Sequence, residues 1–157
     1  MLTSSDFREL LSLFREHRVR HLVVNGYAVM KYSEPRFTKD LDLWIATDPG
    51  NAASVYAALQ AFGAPLKDLS PSDFSQPDHF YQMGRAPLRV DVMMSLGGVP
   101  FEEAWKNRVI VRLDDLEIPF ISRADLIRAK EAAGRPQDKI DVEKLKQAER
   151  LDAGDEQ

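Results

Sequence analysis

Cysteine is absent from the 157 residues of the chain. That excludes a disulfide framework, a thiolate-bound zinc or iron–sulfur site and a thiol nucleophile, and leaves oxygen or histidine to hold any metal. A dominant charge is missing too. The 21 Lys and Arg against 25 Asp and Glu leave a formal −4 with His neutral, so bulk electrostatic attraction to nucleic acid is not the basis of function, although a local basic patch is compatible with that sum. Long apolar runs are also lacking. Residues 1–19 carry charges throughout, and nowhere is there an approach to the roughly 18 apolar residues of a spanning helix. The expected setting is the cytoplasm, with no membrane partner. What is present, 44% hydrophobic, 29% charged and 9% aromatic residues, is the mixture of one soluble globular domain. Its length suffices to bury about two thirds of the unfolded surface without staples.

The periodicities alternate between helix and strand. Phe7, Leu10, Leu11 and Phe14 recur at helical spacing behind Ser4 and Ser5, which predicts an amphipathic helix over 5–17. A short buried strand over 21–25 stops at Gly26, a helix follows to about Ser33, and Pro35 ends it. Over 37–46, Leu41, Leu43 and Ile45 alternate with Asp40, Asp42 and Trp44, the clearest strand pattern in the chain. A helix over 50–62 closes at Gly63, and the Pro-, Ser- and Asp-rich stretch 64–77 reads as a loop, long enough to be functional or mobile. Hairpins are expected over 80–83 with 88–94, and over 108–113 with 117–121 turned at Asp114 and Asp115. A short helix over 101–106 lies between them. Ser122 and Asp125 fit a capping box that opens a helix ending near Gly134, and Pro136 opens a last helix to about Arg150. Residues 1–150 are thus expected as a single domain and 151–157 as a frayed acidic tail. The fold class is α+β (mixed α/β): a small mixed sheet flanked by helices.

The feature that carries chemistry is the series Gly26, Asp40-Leu41-Asp42 and Asp91. Residues two apart on a strand share a face, so Asp40 and Asp42 point together while Leu41 and Leu43 enter the core. Paired carboxylates repel unless something positive lies between them, and an oxygen-preferring divalent cation such as Mg²⁺ is the usual answer. Asp91 is another carboxylate in an apolar strand. If the two strands pair, three carboxylates converge, as is needed to hold two metals about 4 Å apart for in-line attack at phosphorus. A lone Asp-x-Asp is most often only a solvated strand face. Three further features shift the balance: the apolar strand ending in Gly26 before a helix, Arg36 and Thr38 just upstream of Asp40, and Asp91 itself. His17, His21 and His79 lack ligand spacing and are expected to be ordinary core or surface histidines. Trp44, Met93 and Met94 are expected in the core, and Lys31 and Lys39 are lone charges.

The stretch Val24-Asn25-Gly26-Tyr27-Ala28-Val29, followed by Pro35-Arg36-Phe37-Thr38-Lys39-Asp40-Leu41-Asp42-Leu43, resembles the signature of the polymerase-β-like nucleotidyltransferase superfamily. The Arg-x-Thr-x-Asp-x-Asp form, with Asp125-Leu-Ile-Arg-Ala-Lys130 and Arg135-Pro136-Gln-Asp138-Lys139-Ile-Asp141, is similar to the small bacterial branch that includes AbiEii-like toxins and minimal nucleotidyltransferases. The resemblance implies a nucleotidyltransferase-like palm that transfers a nucleoside monophosphate from a nucleoside triphosphate, such as ATP, to a hydroxyl acceptor with release of pyrophosphate. It makes Asp40, Asp42 and Asp91 the catalytic ligands of Mg²⁺ or Mn²⁺, with Asp91 alternatively helping to deprotonate the attacking hydroxyl. Asn25 and Gly26 would form the turn that approaches the triphosphate, and Lys130 or Arg135 would offset charge on pyrophosphate. Asn25 is a departure, standing where the family has its first glycine. Arg36 and Thr38 either contact phosphate or cap the strand entry, and Lys130 and Arg135 are either phosphate ligands or solvated helix charges.

Two readings follow. The first is the enzyme, acting on RNA, protein or a small molecule, for which the resemblance suggests the setting of a toxin in a toxin–antitoxin pair, with an antitoxin or a homodimer partner. The second is a non-catalytic nucleotide-sensing or partner-binding module on the same fold, motivated by a chain too short to hold a separate acceptor-binding domain.

Overall fold

A computed structural model describes residues 5–35, 40–85 and 88–155. Helix α1 (Ser5–Glu16) buries Phe7, Leu10, Leu11 and Phe14, the stripe its spacing predicts. Strand β1 (His21–Val24) is buried at every position, so both of its faces are covered. Helix α2 (Gly26–Tyr32) follows directly, and β2 (Asp40–Ile45) carries the alternation that places Leu41 and Leu43 in the core and leaves Asp40 and Asp42 half-buried. Helix α3 (Pro49–Phe62) starts with Asp48, whose side chain accepts from the Asn51 amide, and ends at Gly63 with φ 92°, a left-handed stop that glycine takes without strain. Strands β3 (Phe80–Arg85) and β4 (Leu88–Met93) form the first expected hairpin, α4 (Phe101–Lys106) the short helix, and β5 (Val109–Leu113) with β6 (Leu116–Phe120) the second hairpin. Helix α5 (Arg123–Ala133) is capped by Ser122 and stopped by Gly134, as its flanking residues require. Helix α6 (Pro136–Asp155) is the last element among the described residues.

The six strands form one mixed sheet in the order β3-β4-β2-β1-β6-β5. β2 runs antiparallel to β1 and parallel to β4, which sets Asp42 beside Asp91 and Asp40 beside Arg89. The buried Asn51 locks the far end of these strands. It accepts from the Arg20 amide at 2.7 Å and donates to the carbonyls of Ala46 and Arg20 at 2.7 and 3.1 Å, so one side chain satisfies three backbone groups where β1 begins and β2 ends.

Two expectations need correction. The stretch 64–77 holds a 3₁₀ turn over Pro71–Ser75, because Ser70 and Asp73 form a reciprocal capping box and Phe74 is buried as its apolar anchor. The chain beyond Arg150 is not frayed as far as it is described: α6 continues to Asp155, with Arg123 reaching back to Asp152 at 2.6 Å. Arg36, Thr38 and Lys39 lie outside the described residues. No helix among the described residues is long and apolar enough to cross a membrane.

Candidate active site

One row of the sheet places Gln82, Asp91, Asp42 and Val24 side by side on β3, β4, β2 and β1. At its centre Asp42 and Asp91 are direct cross-strand partners, two like charges that oppose each other. Neighbouring groups hold each in place. Gln82 Nε2 donates to Asp91 Oδ1 at 2.8 Å, and Arg89 Nε lies 3.6 Å from the same oxygen. Arg89 also donates to Asp40 Oδ2 at 2.8 Å, so the third carboxylate already has a cation. Trp44, next along the same strand face, is covered by Phe101 at 5.0 Å between ring centroids, which closes the sheet face at one end and leaves it open at the aspartates.

Asn25 links β1 to this row. Its backbone takes φ 58° and ψ −133°, a region that glycine occupies freely and other residues at a cost. Its side-chain Nδ2 donates to Asp42 Oδ2 at 2.8 Å and lies 3.7 Å from Met93 Sδ. The other oxygen, Asp42 Oδ1, is buried with no hydrogen-bond partner among the described residues. Burial pushes the Asp42 carboxyl up to about 7; the Asn25 hydrogen bond opposes this, and the neighbouring Asp91 and Asp40 add to it. A buried carboxylate oxygen without a donor, beside a second carboxylate, is a position short of positive charge.

That deficit tests the expected cation site. All the donors are carboxylate oxygens, the set a hard divalent ion takes, and Asp42 Oδ1 is the orphan such an ion would satisfy. The pair Asp42–Asp91 fits. Among the described residues no three such groups stand close enough to enclose an ion as they are, and Asp40 is paired with Arg89.

The aspartates line a cleft of about 750 Å³, and Asn25, Gly26, Lys130 and Arg135 line it too. Of the two readings left open for Lys130, the solvated charge fails: the residue is 6% exposed, with Nζ 3.2 Å from both Asp138 Oδ1 and Asp141 Oδ2. Arg135 differs. Its Nε donates to Asp138 Oδ2 at 2.7 Å, yet its side chain is 72% exposed at the cleft. His21 is a core histidine, buried against Phe14, with Nδ1 3.1 Å from the Val19 carbonyl, and burial lowers it to about 4. Sequence reasoning missed Arg89 and Gln82, and it quoted Asp138 in the Arg135–Asp141 motif without giving it a role. Arg89 carried a usable signal, standing two residues before Asp91 and so on the same strand face, whereas Gln82 depends on strand register and Asp138 on the packing of α5 against α6.

The comparisons with known proteins agree with this architecture. The profile of a family described as "Nucleotidyltransferase of unknown function (DUF6036)" matches residues 5–155. In fold the chain is similar to a crystal structure of the lincosamide antibiotic adenylyltransferase LnuA with lincomycin bound, at TM-score 0.59 and 16% identity, with 92% of this chain and 96% of that one covered. It is also similar to an antigenic nucleotidyltransferase-like protein from Paracoccidioides brasiliensis, at TM-score 0.51 and 17% identity, covering 94% of this chain and 78% of that one. At such identities the likeness is one of fold. None of the curated proteins matches the sequence.

Proposed function

Because the chain belongs to the DUF6036 family of nucleotidyltransferases, we propose that it transfers a nucleoside monophosphate from a nucleoside triphosphate to a hydroxyl acceptor. The acceptor oxygen forms a bond to the α-phosphorus as the bond from that phosphorus to the bridging oxygen of pyrophosphate breaks. The observation that carries the reading is the orphaned Asp42 Oδ1 beside Asp91 on an open sheet face. A divalent cation, Mg²⁺ or Mn²⁺, held by Asp42 and Asp91 would polarise the phosphate and neutralise charge developing on it.

The chain's own residues divide the remaining work. Asn25 fixes one oxygen of Asp42 and leaves the other without a donor. Gly26 lets the backbone approach the triphosphate without a side chain in the way. Arg135, exposed at the cleft, offsets charge on the leaving pyrophosphate, while Lys130, already between two carboxylates, braces α5 against α6. The proton of the attacking hydroxyl passes to Asp91 or to water. The similarity in fold to a lincosamide adenylyltransferase supports ATP as the donor.

The test is transfer of α-labelled triphosphate to a panel of RNA, protein and small-molecule acceptors in Mg²⁺ or Mn²⁺, with pyrophosphate release as the second readout. Transfer that disappears in Asp42→Ala supports the reading. Stoichiometric nucleotide binding with no pyrophosphate released would show instead a nucleotide-sensing module.

A further inference from the structure

On the open face of the sheet, four charged residues stand at the corners of a square: Asp40 beside Arg89 and, two residues further along the same strands, Asp42 beside Asp91. Three corners are acidic, and Arg89 is the cation of the set. The edge of its guanidinium that carries Nε and Nη2 is turned to the acids, with Nη2 donating to Asp40 Oδ2 at 2.8 Å and Nε 3.6 Å from Asp91 Oδ1. The square is not satisfied as it stands. Arg89 Nε is buried with no hydrogen-bond partner among the described residues, and so is Asp42 Oδ1, a donor and an acceptor of one square that do not meet. The side chains of Arg89 and Asp40 are nevertheless 40% and 37% exposed, so water reaches the pair that Nη2 makes. On the other flank of Arg89 its cross-strand partner is Gly84 of β3, which presents no side chain.

We infer that Arg89 is an exchangeable counter-ion: it neutralises Asp40 while the site holds no metal and gives Asp40 up to the divalent cation when that ion binds, so that the cation gains a third carboxylate. The inference rests on the cation site of the transferase reading. Magnitudes favour exchange over a fixed clamp. An ion pair open to water is worth no more than about fivefold in an equilibrium constant. A divalent ion brings twice the charge of the guanidinium, and it satisfies Asp42 Oδ1, which Arg89 leaves unpaired. Charge also gives the arginine a reason to stay close after the exchange. Three carboxylates carry one negative charge more than a single divalent ion supplies, and a guanidinium over the strip beside Gly84 balances the remainder without occupying a ligand oxygen. Arg89 is thus a positioning residue, acting on the metal site through Asp40. A fixed clamp predicts the opposite: Asp40 would stay with Arg89 whether or not the ion is bound, and the ion would be left with Asp42 and Asp91.

The test is Mn²⁺ affinity without nucleotide, read from the electron paramagnetic resonance of the free ion, in wild type, Arg89→Met, Asp40→Asn and the double variant, each checked for folding by circular dichroism. Exchange predicts that Arg89→Met binds Mn²⁺ about fivefold more tightly than wild type, and that most of this gain disappears in the Asp40→Asn background, where the arginine has no carboxylate to release. A gain of the same size in both backgrounds overturns the exchange, since it reports only the field of the deleted charge. Unchanged or weaker binding in Arg89→Met overturns it as well, by making Arg89 a fixed clamp. A second measurement leaves Arg89 in place. The Arg89 Nε–H resonance, identified by its absence from Arg89→Lys, should move on Asp40→Asn substitution in the metal-free protein and should become insensitive to that substitution in saturating Mg²⁺. Equal sensitivity in both conditions overturns the exchange. Mn²⁺ binding to neither wild type nor Arg89→Met overturns the cation site beneath it, whereas wild-type binding with additive substitutions overturns the exchange alone.

Discussion

Two clusters of buried charge face the same cleft and are built on opposite principles. In the α5–α6 cluster, Lys130 lies 3.2 Å from Asp138 and from Asp141, and Arg135 adds a second cation to Asp138. Burial alone would push the Asp138 carboxyl up, but the hydrogen bonds and charges of Arg135 and Lys130 outweigh it and hold the group below the usual carboxylate range. On the sheet, Asp42 has two acidic neighbours, an orphaned oxygen and a carboxyl raised to about 7. The first cluster is neutralised from within the chain. The second is left short of positive charge, and a fold keeps such a deficit only where a group from outside, a cation or a proton, completes it. Burial alone therefore does not mark a functional acid, since Asp138 and Asp141 are more buried than Asp42; the missing counter-charge does.

Substitution should separate the clusters. The largest effect is expected for Asp42→Ala, which should lower nucleotidyl transfer by about a thousandfold or more, measured as pyrophosphate release, because the proposed reaction assigns to Asp42 the cation that would neutralise the reacting phosphate. In the other cluster Lys130→Met strands two buried carboxylates and should cost about 3 kcal/mol in denaturant unfolding. Next is the pH response of Asp42→Asn without metal. The carboxyl is raised in the fold, so between its ordinary value and about 7 the folded state holds a proton that the unfolded state has lost, and wild-type stability contributed by this group falls as pH rises through that window. The melting temperature of Asp42→Asn relative to wild type should thus grow from pH 4 to pH 7 and level off above. Were the difference constant with pH, Asp42 would not be the strained member of the comparison.

A smaller effect is expected at Asn25. Asn25→Gly relieves the backbone at φ 58° but deletes the hydrogen bond that orients Asp42. The metal-free protein should melt at the same temperature or higher, while the stabilisation conferred by Mn²⁺ shrinks. A purely structural Asn25 would lower both. The smallest effect is expected at Gly98, whose added Cβ would lie 2.7 Å from Ala132 Cβ at φ 81°. Gly98→Ala should loosen α5 and destabilise by about 1 kcal/mol, measured by thermal melting, with transfer per folded molecule unchanged.

What could be read from the residues was local. The alternation of Asp40, Leu41, Asp42 and Leu43 fixed a strand and its open face, and Ser122, Gly134 and Pro136 marked helix ends that lie where they were expected. Convergence was less legible. That Asp91 lies beside Asp42 follows from the parallel register of β2 and β4, which strand pattern alone does not specify, and the same register brings Arg89 to Asp40. For Lys130 the residues offered a phosphate ligand or a solvated helix charge, and not the buried pairing, because its partners sit on the following helix. The 3₁₀ turn went unread for a similar reason. It lies in a stretch whose Pro, Ser and Asp content signals a loop, and the reciprocal bonding of Ser70 and Asp73 together with the burial of Phe74 gives that stretch its form.

His21, buried in β1 and lowered to about 4, gives the protein a second proton ledger that runs against the first. Between about pH 4 and 6.5 the unfolded chain takes up a proton that the folded imidazole refuses, so this residue makes the fold sturdier as pH rises, over nearly the range in which Asp42 makes it weaker. The two slopes offset each other in the metal-free protein. A cation that keeps Asp42 ionised cancels only one of them, so the loaded protein should become acid-sensitive in a range where the empty one is nearly indifferent. An acid titration of stability would then report occupancy of the cleft from a residue in the core that touches no ligand.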